Sequence, residues 1–559
     1  MTKKHVLYVT PEIALPIPQS PQTYTGGLGY LAGTYAMDAP RAGLTAVVVA
    51  PLSRYYRQTI VETPEGKRMG VENPALHVEG LLELTTAEFT LPVNHTEVSV
   101  RVWRFPGKSY DACDVLFLDT DYEKNDEAHR LITRYLYGGF SGEAGGEGGN
   151  DWRRIAFAYV LGVGALSATR ALGYQISLYH LNECHAVFAA MELLREARHK
   201  HASIEEAITT VRRHMLFTTH TPVPAGIWQA PLDQVVHMTD RYFQFGQPVF
   251  EQLGQKDNDF NLAVAALRLA GITNAVSKRH RITSERMFSW IKDQGGREYP
   301  ITSVTNGVSF PFWQHLRYRD VTTPAALREA KRVCKGEVLD YVRAVTGKRF
   351  GDNILTGVFA RRWTGYKRPS LVLDQFDTVG IGRLLRHNQL QLIFAGMPNP
   401  DEVEMVKAWN HVLRLSERIP NIAILPRYDV ELSSLLKAGS DLWLFTSAAN
   451  KEACATSPAG AMLNGTLVVG NPDGMMQEVD PQNCFLFGHD SEREWWRQYR
   501  NDAAAFRATL ASVIDMYYNE PDVFYEKALA AKMEAEEKFP GSRMIHNYQE
   551  LYHELLAKH

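Results

Sequence analysis

Short apolar, β-branched runs recur along the chain with helical spans between them, and this alternation limits the possible fold more than any other feature. In the first half the runs are "HVLYVT" (5–10), "LTAVVVA" (44–50), "VLFLDT" (115–120), "ISLYHL" (176–181), "MLFTTH" (215–220) and "ITSVTNG" (301–307). In the second half they are "ILTGVFA" (354–360), "LQLIFAG" (390–396), "IAILPRY" (422–428), "DLWLFTS" (441–447) and "TLVVGN" (466–471). A strand that is apolar along its whole length must be covered on both faces, which is the condition of a parallel sheet between helical layers. The pattern predicts an α/β chain with two Rossmann-like domains. Length agrees, because 559 residues exceed the roughly 300 that a single core supports.

The polar stretch 317–353 reads as a helical connector, which puts the domain boundary between 320 and 350. Past residue 490 the chain is helical and charged. The expected division is 1–325, 326–525 and a C-terminal helical segment 526–559. A composition 45% hydrophobic and 22% charged, with net charge -3, gives no basic groove for nucleic acid and no acidic tail. The five cysteines are scattered and never form a CxxC pair, so neither a disulfide framework nor a zinc site is expected. The first residues read as a strand rather than a signal peptide, and no run approaches the roughly 20 apolar residues of a spanning helix. A cytoplasmic protein without membrane partners is expected.

Ligands of doubly wound folds sit beyond the carboxyl ends of the strands, and with two domains facing each other the cleft between them is the expected site. Polar segments follow several strands accordingly. "TYTGGLGYLAG" (23–33) precedes a helix and places Gly26 and Gly27 where a backbone can approach a phosphate closely. "YHLNECHAVF" (179–188) puts Asn182, Glu183 and His185 at one strand end, and "FTTHTPVPAG" (217–226) puts His220 at another. A lone histidine there suits a satisfied core position as well as a ligand. Two histidines flanking a glutamate, with no third ligand, do not make a metal site, and none is expected. "DTD" (119–121) runs into a charge-rich loop and reads as structural.

"FARRWTGYKRP" (359–369) ends a strand with Arg362 and Lys367 five residues apart, a planar donor fork and a point charge suited together to a phosphate or diphosphate. In "EACATSPAGAM" (452–462) Thr456 and Ser457 offer cap hydroxyls, and Pro458 sits where a first helical turn tolerates it. Such a helix start presents N–H groups to an anion. Glu452 would repel a phosphate, so its expected partner is a sugar or ribose hydroxyl.

In this order, "TYTGGLGYLAG", "FLDTDYEKND", "RLITRYLYGG", "YHLNECHA", "FTTHTPVPAG", "ITSVTNGV", "FARRWTGYKR", "LIFAG", "YDVEL" and "EACATS" resemble the short bacterial and archaeal type of α-glucan phosphorylase, in the superfamily that also contains glycogen and starch synthases. The resemblance implies the GT-B fold: an acceptor-side and a donor-binding Rossmann-like domain facing a central cleft, with a C-terminal helix crossing back to the first. It further implies that His220 contacts the transferred sugar, that Arg362 and Lys367 bind the departing phosphate, and that Gly26 and Gly27 line that phosphate. Glu452 would bind a sugar hydroxyl, and Thr456 and Ser457 would offer backbone amides. Asn306 of "TNGV" would lie near the sugar. Asn182, Glu183 and His185, from their place at a strand end, are expected in the sugar or acceptor cleft.

One position departs from the family. Where its members carry a lysine that forms a Schiff base with pyridoxal phosphate, eight residues on from the glutamate, this chain has Gly460. No covalent pyridoxal phosphate and no other cofactor is therefore expected. "EACATSPAG" instead resembles the matching segment of nucleotide-sugar-dependent relatives such as eukaryotic glycogen synthases, although their second glutamate is missing. The expected function is retaining transfer of a hexosyl unit, most simply glucosyl, from a nucleotide sugar to a hydroxyl acceptor such as a glucan or a small molecule. Two other readings use the same residues: a phosphorylase independent of pyridoxal phosphate, and a non-catalytic glucan-binding or regulatory homologue. A homo-oligomer is compatible with the sequence, and the glycine-rich segment 141–150 reads as a lid or an altered acceptor contact.

Overall fold

The computed structural model describes residues 4–557 except positions 16, 18–19, 55–56, 65, 73–77, 137–148, 224–226, 294, 374–384, 386, 401 and 489–493. Most of the segment 141–150 lies outside the described residues. The chain forms two units, one of Met1–Tyr55, Ala75–Thr305 and Ser542–His559, the other of Tyr56–Pro74 and Asn306–Gly541. The architecture is the α/β, GT-B type.

The first unit is built on a nine-stranded sheet in the order Ile301–Ser303, Ile272–Ala275, Met215–Thr218, Ile176–Asn182, His5–Val9, Ala46–Pro51, Asp114–Asp119, Thr96–Phe105, Glu83–Val93. The first seven are parallel, and the last two form an antiparallel pair at the edge. Successive side chains of one strand point to opposite faces, so each continuous apolar run feeds two cores. Leu7, Val9, Val47 and Val49 pack with Val160 and Phe188 on one side. Val6, Tyr8, Val48 and Ala50 pack on the other with Tyr35, Met544, Tyr548 and Tyr552. The last three belong to the helix Gly541–Ala557, whose Tyr552 hydroxyl lies 2.9 Å from the Tyr35 hydroxyl and 2.7 Å from His180 Nδ1.

The second unit carries six parallel strands in the order Ile422–Leu425, Leu390–Ala395, Leu355–Ala360, Leu442–Phe445, Leu467–Gly470, Phe485–Leu486. Numbered along the chain this is 3-2-1-4-5-6, the doubly wound dinucleotide-fold order, whose switch point lies between the first and fourth strands.

The units divide at 305/306 and 541/542, whereas the sequence pointed to 325/326 and 525/526. The stretch read as a connector is the helix Pro324–Thr346, and buried lysines tie it into the second unit. Lys331 Nζ donates to the Ala438 and Ser440 carbonyls and to Thr466 Oγ1, and Lys335 Nζ pairs with Asp441 at 2.7 Å. The helix Pro521–Lys538 also stays with the second unit, where Glu534 accepts from Asp480 N and Asn483 Nδ2. Only Gly541–Ala557 returns to the first unit. The hairpin Arg57–Thr63/Gly66–Glu72 belongs to the second unit, with Met69 N donating to Asn410 Oδ1 at 2.9 Å. Among the described residues no helix is long and apolar enough to cross a membrane, and the five cysteines are buried thiols without a disulfide.

Candidate active site

In the first unit the sheet order reverses between His5–Val9 and Ile176–Asn182, and polar side chains collect at that switch point. Asn182 Nδ2 donates to Thr10 Oγ1 at 3.0 Å, and the Thr10 hydroxyl donates onward to the Glu12 carbonyl. This orients the Asn182 amide so that Oδ1 faces His220 Nε2 at 2.6 Å. His220 therefore carries its proton on Nε2 and keeps Nδ1 as the acceptor nitrogen. Burial, with His280 nearby, pulls its pKa down to about 3, so the ring is neutral. Glu183, at φ 78°, accepts from Cys184 N, His220 N and the Thr221 hydroxyl, and burial raises its pKa. Asn182, Glu183 and His220 thus form one built cluster. The pKa of His185, two residues on from Glu183, is drawn to about 4 by burial and Arg154.

The glycine segment divides in two. A Cβ on Gly26 or Gly27 would meet nothing within 4 Å, whereas one on Gly29 would strike Tyr24 Cβ at 2.3 Å and one on Gly33 the Ala14 carbonyl at 2.2 Å. The close packing that requires glycine is therefore at Gly29 and Gly33, which seat the helix Gly27–Arg41 against the segment before it. The buried Glu12 carboxylate takes the N–H groups of Thr25 and Gly29 at the start of that helix. The aspartates of "DTD" are structural: Asp119 accepts from Arg101 and Trp103, and Asp121 from Arg54, Arg130 and Arg134.

In the second unit the loop after Leu355–Ala360 carries Arg361, Arg362 and Lys367, and the loop after Leu442–Phe445 faces it across the switch point. Arg361 pairs with Glu452 at 2.5 Å and donates to Ser447 Oγ at 2.7 Å, and Ser447 in turn donates to Glu452. The Glu452 carboxylate expected to face a sugar hydroxyl is thus engaged by Arg361, a residue that sequence reasoning passed over in favour of its neighbour. Burial pushes the Glu452 carboxyl up, but Arg361, Lys367 and Ser447 outweigh it and hold it below the usual range. Asp473 Oδ2 fixes this loop by accepting from Lys451 N and Glu452 N. Arg368 anchors the other loop, donating to the Thr446 and Ser447 carbonyls and pairing with the fully buried Asp502.

Lys367 is held where its charge is disfavoured. Burial and Arg361 lower its pKa to about 7, against the opposing pull of Glu452, with Arg362 adding to the fall. The buried Glu452 is held by Arg361 and Lys367, and the half-buried Glu402 interacts with Arg362 and Lys367, with burial raising its pKa. Arg362 is half-buried in the same loop.

The helix predicted to open at Glu452 begins later. It runs only Ser457–Met462, with Thr456 as N-cap in the helical region and no side-chain cap bond, because Ala455 at φ 64° is left-handed and interrupts a helical path from Glu452. Instead of capping, Ser457 Oγ accepts from Trp443 Nε1 at 3.4 Å. Asn306 is buried beside Gly307, where a Cβ would strike the Pro540 carbonyl at 2.5 Å, and Val308 pairs with Pro540. Among the described residues "HLNECH" belongs to no group of three metal-ligating side chains. The cluster of such side chains among the described residues is His315, Cys334 and Glu337, elsewhere in the second unit.

Pyridoxal phosphate, which the resemblance implies for close relatives, fits poorly here. The lysine that would anchor it is Gly460 here, and a Cβ at that position would meet Lys437 Cδ and Cε, both at 3.1 Å, so a side chain there requires Lys437 to give way.

Two units built on parallel sheets, each with polar side chains gathered at the carboxyl ends of its strands, place the chain in the GT-B class. The chain belongs to the carbohydrate phosphorylase family, whose model matches residues 258–553. It is 32% identical over 546 residues to an uncharacterized protein of Methanocaldococcus jannaschii, spanning 96% of this chain and 97% of that one. It is 29% identical over 608 residues to the glycogen phosphorylase of Mycobacterium tuberculosis, spanning 95% of this chain and 68% of that enzyme. With the maltodextrin phosphorylase of Thermococcus litoralis the identity is 27% over 607 residues, spanning 98% and 70%. The protein is accordingly a carbohydrate phosphorylase or a related glycosyl-transferring enzyme.

Proposed function

We propose that this protein is a retaining glycosyltransferase that moves a hexosyl unit, in the simplest case glucosyl, from a nucleotide sugar to a hydroxyl of a carbohydrate or small-molecule acceptor. The observation that carries the reading is the gathering of Arg361, Arg362 and Lys367 in the loop at the switch point, where burial and the neighbouring guanidinium groups lower the Lys367 pKa to about 7 against the pull of Glu452 and Glu402. A bound diphosphate favours the protonated form of Lys367 and gives its charge a partner. Arg362 and Lys367 then stabilise the charge that grows on the leaving group as the glycosidic bond breaks, an interaction stronger in the transition state than in the ground state. The departing phosphate oxygen takes the acceptor's proton on the face from which it leaves, which gives retention without a second carboxylate. His220, neutral and oriented by Asn182, contacts the sugar by hydrogen bonding, not by charge.

The names of the phosphorylase relatives favour a second reading, phosphorolysis without pyridoxal phosphate, in which the same cations hold inorganic phosphate. A thermal-shift panel separates the two. Its ligands are ADP-, UDP- and GDP-glucose, the free nucleotides, glucose 1-phosphate with phosphate, and pyridoxal phosphate. A ligand at 100 times its Kd stabilises by about 2.7 kcal/mol. Stabilisation by one nucleotide family is the expected result, and a response to glucose 1-phosphate alone overturns the nucleotide-sugar reading. A panel without any response leaves a non-catalytic glucan-binding role as the better account.

A further inference from the structure

Lys437 lies on the helix Val430–Gly439, is 3% exposed, and takes no part in the chemistry above. Its stem crosses Gly460: a Cβ built there would sit 3.1 Å from Cδ and Cε and 3.9 Å from Nζ. Nζ rests 3.7 Å from the centre of the Trp313 ring and donates to Ser433 Oγ, which lies 3.1 Å from the Tyr428 hydroxyl. Trp313 is itself pinned to this place, because Asn464 Nδ2 donates to the carbonyls of both Trp313 and Gly460 at 2.8 Å. A ring face on one side and a hydroxyl on the other leave the lysine little room to swing away. Burial lowers its pKa, which favours the uncharged amine in this dry setting.

We propose that positions 437 and 460 are an exchanged pair, in which Lys437 fills from the neighbouring helix the space that a side chain at 460 would occupy, and so closes the place where pyridoxal phosphate would be anchored. The glycine is then a packing requirement of Lys437, and exclusion of the aldehyde cofactor is a property of the pair. This does not depend on which donor the enzyme uses.

Two experiments on the full-length protein test it without an activity assay. In the first, Gly460→Ala is made in the wild-type and Lys437→Val backgrounds, and the urea midpoint is read. Alanine is the better helix former and ordinarily stabilises a helix interior. The midpoint is expected to fall in the wild-type background and to rise in Lys437→Val. The same shift in both backgrounds overturns the proposal.

In the second, wild type, Gly460→Lys and the double variant Lys437→Val/Gly460→Lys are incubated with pyridoxal phosphate, reduced with borohydride and mapped by peptide mass spectrometry. A reactive lysine Nζ attacks the aldehyde carbon, water leaves, and hydride reduces the imine to a stable secondary amine. Labelling at position 460 is expected in the double variant and at least tenfold less in Gly460→Lys alone, with Lys437 of the wild type unlabelled. Labelling of Lys437 in the wild type, equal labelling of the two variants, or none at 460 in the double variant refutes the exchange. The first experiment stands if Gly460→Lys does not fold.

Discussion

Replacing Glu452 with glutamine removes one charge from a buried pair and leaves its shape. Arg361 and Glu452 are each 8% exposed and meet at 2.5 Å, so neither charge has water to fall back on. Removing one partner of such a pair costs about 3–5 kcal/mol, because the other charge stays buried and uncompensated. Glutamine keeps an oxygen that accepts from Arg361 and Ser447, so the lower end, about 3 kcal/mol, applies. For a unit of this size that is a fall of roughly 6–12 °C in Tm, at about 2–4 °C per kcal/mol. The loss depends on pH in a defined sense. The folded carboxyl lies below its unfolded value of 4.5, so the pairing stabilises fully above 4.5 and is lost as pH falls through the folded value. Wild type and variant should therefore differ at pH 7 and converge in acid. Calorimetry or urea unfolding at several pH values measures this, and an equal difference at every pH, or none at pH 7, would refute the reasoning.

Four further outcomes follow from the same geometry. Lys367, with a folded pKa of about 7 against 10.5 for the free side chain, binds a dianion only when protonated. Affinity for sulfate, which does not titrate here, should drop up to about tenfold per pH unit above pH 7, and stability should rise between pH 7 and 10.5, where the unfolded chain holds the proton and the folded one does not. Arg362→Ala and Lys367→Ala should each slow turnover by orders of magnitude, the first with little change in unfolding and the second with a gain in stability at pH 7, because it removes a charge that burial disfavours; near wild-type rates would sink the phosphate assignment. Arg368→Lys replaces three donor directions by one ammonium and should lose about 1–3 kcal/mol in urea unfolding. Tyr552→Phe strips the hydroxyl shared by Tyr35 and His180 and should lose about 1–3 kcal/mol, detectable as earlier proteolysis of the C-terminal helix.

The parallel sheets were legible in the sequence because the signal is local: a run such as "AVVVAP" is apolar at every position, and only a strand covered on both faces uses it that way. The strand Ile272–Ala275 was not legible, since four residues inside "GITNAVS" carry too little pattern, and neither was the edge pair, whose long strands mix polar and apolar residues. The positions of Asn182, Glu183, His220, Arg362 and Lys367 at strand ends could be read directly, because a doubly wound fold puts loop residues there. Their partners could not. Arg361 meets Glu452 across 91 residues, and Lys437 covers Gly460 from another helix. Such pairings depend on strand order and on the angle at which helices pack, which no local pattern encodes. Residue type and spacing alone determined the fold class and the loops that carry charge. Only the tertiary structure decided which carboxylate neutralises which cation, and that the space above Gly460 belongs to a lysine.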